Sequence, residues 1–480
     1  MKIETSPQLP TFAESISGAD AKKRQRLVSV SAPCPHVDPM QAFLHGMGRE
    51  RFYWQEPGNG VIHVGFGAAA DLRAWGPTRF QSIARQAQTL FDQAYLPTSA
   101  PSFAQAHLFG GFAFSDDFTP DNTWSVYHPA QFILPHYQLS LQQGSSEERQ
   151  AWLTINALLD YPAATPSKRA DAEAVELATA LRGALTEQIE QLQQTPIGMA
   201  PLPQLHSRCY PMPYATWEQI LNAAMDQFRI GALSKVVLSR VCELRFDQKI
   251  DVATALAYLN RIYPDCYRFV FEPLPNHAFF GASPELLVNL SGQQIRTMGL
   301  AGSEPRGATP AADAALGRQL MESVKDRHEH QLVVDVLRQR LQPLCDKLDV
   351  AAQPQLLKLS NIQHLYTPVC GTLSKPQDVL SLLDVLHPTP ALGGVPRAQA
   401  LDFIRQMEPV PRGWYAAPVG VINRHMEGTF TVAIRSAVTE YERVWLHAGA
   451  GIVEASNPQK EWDETALKFR PILNALGAAA

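Results

Sequence analysis

The chain has 480 residues, 45% of them hydrophobic and 18% charged, with a formal net charge of −5; this is globular composition with enough apolar side chains for a large core. The mild acidity, with Lys22–Arg26 as the tightest basic cluster, excludes a nucleic-acid-binding stripe, and no run approaches 18 apolar residues, which excludes a membrane-spanning helix. Cys34, Cys209, Cys242, Cys266, Cys345 and Cys370 form no CxxC pair, which argues against zinc or a disulfide framework and, with no signal-peptide pattern after Met1, predicts a cytoplasmic protein.

Residues 1–35 are polar and weakly patterned and read as an irregular arm. Phe52–Trp54 and Gly60–Phe66 read as short strands joined through a turn at Pro57–Gly60. Residues 78–95 have helical texture, His107–Phe114 is a strand-like run holding a glycine pair, and 170–193 is a long Ala/Leu/Glu/Gln helix. Thr195–Leu205, with Pro196, Pro201 and Pro203, is the linker candidate, dividing an N-terminal part (36–200) from a second part (205–478). Thr216 and Gln219 have the capping-box form, and Trp217, Ile220, Leu221, Ala224 and Phe228 follow at helical spacing. Lys235–Phe246 alternates, with Val236, Leu238, Cys242, Leu244 and Phe246 on one face, and reads as a half-buried strand. Further strands are expected over 267–272, 277–289, 294–299, 429–438 and 442–448, and one long helix over 314–342. Strands and helices mix without a βαβ rhythm, which points to a large α+β or mixed α/β body.

Four acids form two pairs spaced three apart: Asp326 with Glu329, and Glu461 with Glu464. Residues three apart share a helix face, and two such faces opposed could hold a hard divalent cation through oxygen ligands. By spacing alone, a solvated acidic face is the commoner meaning of each pair. His328-Glu329-His330 lacks the zincin spacing, so zinc is rejected. The stretches Gly299–Ser303 and Ala448–Gly451 read as glycine-rich turns at strand ends, where backbone N–H groups can approach an anion. Lys235, at a strand start, is either an exposed strand-end lysine or one buried enough to serve as a base.

Taken together these segments resemble the chorismate-utilising enzymes, the family of isochorismate, salicylate, anthranilate and aminodeoxychorismate synthases. The strings that carry the resemblance run in order: SKVVLSR (234–240), SPE (283–285), LAGSEPRG (300–307), KDRHEH (325–330), LHPTP (386–390), VAIRSA (432–437), AGAGIV (448–453) and EWDETALK (461–468). HLFGGFAF (107–114) is similar to a glycine-rich strand of the same enzymes. The resemblance implies antiparallel-rich sheets packed as a sandwich with helices outside, and 205–478 as the chorismate-binding catalytic domain. It implies Lys235 as the base that activates water and Glu285 as the acid that protonates a departing hydroxyl. Glu329 and Glu464 would ligate Mg²⁺, with Asp326 and Glu461 beside them. Arg435, the Gly449 backbone and Lys468 would hold substrate carboxylates, and Gly302, Ser303 and His387 would lie near the ring.

Within the family, the ammonia-using members carry glutamine where this chain has Lys235. Water needs a base to become a nucleophile and ammonia does not, so the lysine favours a water-using isochorismate synthase that works without a glutaminase subunit. Salicylate synthase, which goes on to eliminate pyruvate, is the alternative. Arg412–Gly420 resembles the isochorismate synthases of menaquinone and catecholate-siderophore pathways, and the long N-terminal part is more similar to the menaquinone type. Water attack at C2 with loss of the C4 hydroxyl would require a lysine pKa below about 10.4 and a glutamate pKa above about 4.3.

Overall fold

The computed structural model describes residues 23–58, 60–97, 99–143, 149–194 and 197–479; the first 22 residues of the expected arm, Asn59 of the expected turn, and Thr195 and Pro196 of the expected linker lie outside them. The chain begins with β1 (Lys23–Pro33), α1 (Pro39–His45), β2 (Arg51–Gln55), β3 (Ile62–Ala74), α2 (Arg79–Asp92), β4 (His107–Phe112), β5 (Ala130–Gln143), β6 (Arg149–Pro162) and α3 (Ser167–Leu192). It continues through β7 (Leu205–Cys209), α4 (Tyr214–Arg229), β8 (Lys235–Phe246), α5 (Val252–Ile262), β9 (Tyr267–Leu274), β10 (His277–Ser283), β11 (Leu286–Ser291) and β12 (Gln294–Pro305). Then come α6 (Pro310–Glu322), α7 (Val324–Leu341), β13 (Cys345–Val350), β14 (Gln355–Lys358), β15 (Ile362–Leu373), α8 (Val379–Leu386), β16 (Gly394–Val395) and α9 (Arg397–Met407). Last are β17 (Pro418–Asn423), β18 (Gly428–Val432), β19 (Ser436–Glu440), β20 (Arg443–Ile452) and α10 (Pro458–Ala475).

Antiparallel pairing follows two branches that share β5. One runs β1-β6-β5-β3-β2-β9-β10-β19-β20-β8. The other leaves β5 as β4-β17-β18-β11-β12-β15. The pairs β2–β9 and β4–β17 join strands from opposite sides of residue 200. Phe52, Phe271, Phe279 and Trp445 from the first branch and Phe109, Val419 and Val421 from the second pack into one core. Helices cover the outer faces: α4, α8 and α9 contribute to one further core, and α3, α5 and α10 to another. This is the mixed α/β sandwich expected. Among the described residues, no helix is long and apolar enough to cross a membrane.

The structure corrects several local expectations. Residues 23–33 are a strand, not irregular arm, because Leu27, Val28 and Val30 alternate with Ser29 and Ser31 and all five are buried against β6. The capping box is misplaced: α4 starts at Tyr214 behind Pro213, whose fixed φ of −72° sets the entry, so Thr216 lies inside the first turn. The long helix over 314–342 is two, broken at Ser323, whose hydroxyl caps α7 by accepting from the Asp326 amide at 3.2 Å. The strand over 277–289 is interrupted at Pro284-Glu285. The one over 429–438 breaks before Ser436, where Arg435 takes a φ of 52°.

Strand β8 is buried on both faces instead of one. Its alternation is real, but the face carrying Lys235, Val237, Ser239 and Val241 turns toward protein, not water. Neither glycine-rich stretch is a terminal turn: Gly299–Ser303 lies within β12 and Ala448–Gly451 within β20. Gly302 sits at a register shift with φ 76°, a conformation that favours glycine.

Candidate active site

The ends of β8, β12, β15 and β20, the β10–β11 connection and helices α7 and α10 converge on one cavity. Glu285, Gly302, Ser303, Glu329, His364, Arg435, Gly449, Glu464 and Lys468 all line it. Sequence reasoning expected every one of these except His364.

Lys235 opens β8 and is fully buried. Its Nζ lies 2.9 Å from Glu329 Oε1 on α7. Glu329 is its ion-pair partner, and Nζ makes no hydrogen bond among the described residues. The exposed-lysine alternative is thereby overturned. Two further lysines repeat the pattern: Lys325 Nζ meets Glu461 Oε1 at 2.6 Å, and Lys468 Nζ meets Glu464 Oε1 at 2.6 Å while also donating to the Gly449 carbonyl at 2.8 Å. Three carboxylates are thus each neutralised by one lysine, which is how a buried acidic cluster avoids an uncompensated charge.

The balance is uneven. Burial, reinforced by the neighbouring Glu464, pushes the Glu461 carboxyl up to about 7 despite Lys325. Burial works against Glu464 too, but Lys468 overrides it and holds that carboxyl below its usual range. Burial, with Glu329 and Glu464 nearby, raises Asp326. The acidic pairs are therefore crowded inward-facing groups, not solvated helix faces.

Glu285 stands apart. It lies in the β10–β11 break, where its carbonyl accepts from Thr431 Oγ1 at 2.6 Å and from the Val432 amide at 3.1 Å. Burial pushes its carboxyl up to about 8, against the opposing pull of Lys235, Arg435 and Lys468. A glutamate held this way carries a proton at neutral pH.

His364 on β15 bridges two cavity-lining residues, Arg435 and Ser303. Arg435 Nη2 lies 3.2 Å from its Nε2 and can only donate, so Nε2 accepts. Its Nδ1–H then faces Ser303 Oγ at 2.9 Å and the Gly302 carbonyl at 3.2 Å. Burial, then Arg435 and Lys468, drive this ring's pKa down to about 3, so it is neutral. No spacing in IQHLY marks His364 as functional; only the β12–β15 register, which pairs it with Ser303, does so. Tyr415 is a second lining residue that sequence reasoning left without a role. Of the expected site residues, Lys235, Asp326, Glu461 and His387 are not part of the cavity lining. His387 packs among Phe80 and Phe114, with Nε2 donating to the Phe114 carbonyl at 3.1 Å.

Among the described residues, no three His, Cys, Asp or Glu side chains converge into a closed metal cage. A hard ion such as Mg²⁺ does not require one; it is commonly held by one or two carboxylates plus waters and substrate oxygens. Glu329 and Glu464 offer such oxygens from two helices into one cavity, and the like-charge crowding around Glu464 is what a cation would relieve. The donor set fits.

One cavity thus gathers the raised carboxyl of Glu285, the acids Glu329 and Glu464 and the cations Arg435 and Lys468, with the buried Lys235 against Glu329. A model of the chorismate binding enzyme family matches residues 14–477, and the chain belongs to that family. It is 34% identical over 471 residues to the salicylate biosynthesis isochorismate synthase of Pseudomonas aeruginosa, covering 98% of this chain and 94% of that protein. It is 31% identical over 465 residues to isochorismate synthase MenF of Bacillus subtilis, covering 94% and 93%. Among solved structures, MenF, the menaquinone-specific isochorismate synthase of Escherichia coli, aligns with a TM-score of 0.75 at 27% identity, over 97% of this chain and 98% of that one. Anthranilate synthase component I of Streptococcus pneumoniae, at 18% identity and a TM-score of 0.66 over 98% and 95%, shares the fold.

Proposed function

We propose that this protein is an isochorismate synthase that adds water at C2 of chorismate and removes the C4 hydroxyl. The observation that carries the reading is a cavity-lining carboxyl that burial pushes up to about 8, Glu285, with the fully buried amine of Lys235 set 2.9 Å from the lining residue Glu329. As the neutral amine Lys235 can accept a proton, and Glu285 can deliver one, as a dehydration–hydration exchange demands.

In this mechanism Lys235 takes a proton from a water on one face of the ring as its oxygen bonds to C2. Glu285 gives its proton to the C4 hydroxyl, the C4–O bond breaks, the double bonds shift and water leaves. Arg435 and Lys468 bind the two carboxylates, with the Gly449 backbone beside them. Ser303, fixed by neutral His364, faces the ring edge. Glu329 and Glu464 are the residues to hold Mg²⁺, which when bound polarises the ring carboxylate as a Lewis acid. Asp326 and Glu461 support them from the same helix turns. Substrate and product have the same bond types, so the reaction stops at a mixture when nothing consumes isochorismate. The coverage of both MenF relatives supports menaquinone as the destination; the Pseudomonas relative supports salicylate.

The test is to incubate the protein with chorismate, with and without Mg²⁺ and beside Lys235→Ala, and to resolve products by chromatography. A Mg²⁺-dependent isochorismate peak that plateaus and is lost in the variant is expected. Salicylate and pyruvate would move the protein to the lyase branch. Untouched chorismate would overturn the reading.

A further inference from the structure

Arg240 lies on the face of β8 turned to α10 and is 3% exposed, yet among the described residues no carboxylate pairs with it directly, and Asp463 acts on it only at longer range. Its guanidinium instead sits 3.6 Å from the ring centroid of Trp462, with Phe469 at 5.1 Å and Tyr210 at 5.3 Å. Nε donates to Thr465 Oγ1 at 2.6 Å and Nη2 to the Trp462 carbonyl at 3.2 Å, while Thr465 Oγ1 donates to that same carbonyl at 2.7 Å. Nη1 has no hydrogen-bond partner among the described residues. Burying a guanidinium without a paired carboxylate costs stability, so the arrangement calls for a role other than ion pairing.

The residues Arg240 grips are Trp462 and Thr465, each one position after Glu461 and Glu464. A helix held by that face is fixed in rotation about its axis. At a side-chain radius of about 5–6 Å, a turn of about 20° would carry a carboxylate about 2 Å, enough to ruin a shared oxygen site. A second anchor acts on the same turn: Trp217 Nε1 donates to the Pro458 carbonyl at 3.1 Å, and its indole meets Trp462 at 6.1 Å. The strand that carries Lys235 is thereby locked to the helix that carries Glu464.

We propose that Arg240 is a positioning residue that sets the rotation of α10 and so aims Glu461 and Glu464 into the cavity; this rests on the reading of Glu464 as a metal ligand.

The experiment uses Arg240→Met, which keeps length and apolar contact, and Thr465→Val, which removes the hydroxyl but leaves the arginine–indole stack. Two readouts are taken on full-length protein: Mn²⁺ binding by EPR without chorismate, and amide hydrogen exchange over 458–466. Arg240→Met should weaken Mn²⁺ binding about 10-fold or more, the usual range for a residue that orients a metal ligand, and Thr465→Val should weaken it less. Exchange over 458–466 should rise in both variants. If Arg240→Met is insoluble, Thr465→Val alone decides. A folded variant with Mn²⁺ affinity within about twofold of the parent and unchanged exchange would overturn the proposal. A parent chain that binds no Mn²⁺ would overturn the metal reading instead, and the exchange data would then still decide whether Arg240 fixes α10.

Discussion

Gly451 and Glu329 are pressed together: a Cβ on Gly451 would lie 2.0 Å from Glu329 Oε1 and 3.2 Å from Lys235 Cε. A residue without a side chain within β20 is what lets the α7 carboxylate reach the β8 amine. Gly451→Ala should therefore push Glu329 off Lys235. Overpacking of this kind costs about 1–3 kcal/mol, and a displacement near 1 Å at reacting groups costs about 100-fold in rate. Thermal denaturation and initial rates check both effects; a variant with the parent's rate would mean that the close approach is dispensable.

Glu285→Gln separates stability from catalysis. The carboxyl stands at about 8 in the fold against an ordinary 4.5, because of burial. The folded chain therefore holds this proton more tightly than the unfolded chain does. The associated stability is fully present below about pH 4.5 and is lost as pH rises through about 8. Glutamine cannot ionise, so the Tm advantage of the variant over the parent should grow between these limits. Its turnover should fall by about 100- to 10,000-fold, the usual range for a lost general acid, and the parent's kcat/KM should decline above about pH 8. A Tm difference independent of pH would show that Glu285 is not held protonated.

Metal dependence has a readout besides turnover. If Glu329 and Glu464 hold Mg²⁺, a hundredfold excess over Kd stabilises the fold by about 2.7 kcal/mol. The Tm should rise with added Mg²⁺ and fall back with EDTA, and Glu464→Gln should abolish the rise. An unchanged response in Glu464→Gln would move the site elsewhere.

These variants fall on residues that the amino-acid sequence makes legible. Lys235, Glu285, Glu329 and Glu464 stand out only through the strings that carry the family resemblance; spacing by itself leaves the lysine and the acid pairs open to a surface reading. What the sequence hides depends on contacts between distant segments. His364 gains meaning only from the β12–β15 register that sets it against Ser303. Strand β8 shows its alternation in sequence, but the burial of both its faces depends on α9 and α10 packing against it. The breaks at Ser323 and Arg435 come from a side-chain cap and a left-handed residue inside otherwise regular patterns, and periodicity passes over both. His387 belongs to one of the family strings, yet it packs among Phe80 and Phe114 and is not part of the cavity lining.

The Lys235–Glu329 pair gives the sharpest energetic test. Its side chains are 1% and 10% exposed, so removing one partner leaves the other charged and buried. Lys235→Met should cost about 3–5 kcal/mol, as broken buried pairs do. Glu329→Gln should cost a comparable amount, because the ammonium has no hydrogen-bond partner among the described residues. The double variant removes both charges and should recover most of the loss, leaving a coupling energy of at least about 1 kcal/mol. All three should be inactive, so recovered stability cannot be mistaken for recovered function. Urea denaturation at fixed pH in the absence of Mg²⁺ closes the cycle. Additive costs would show that the two groups are stabilised separately and that the 2.9 Å contact contributes little.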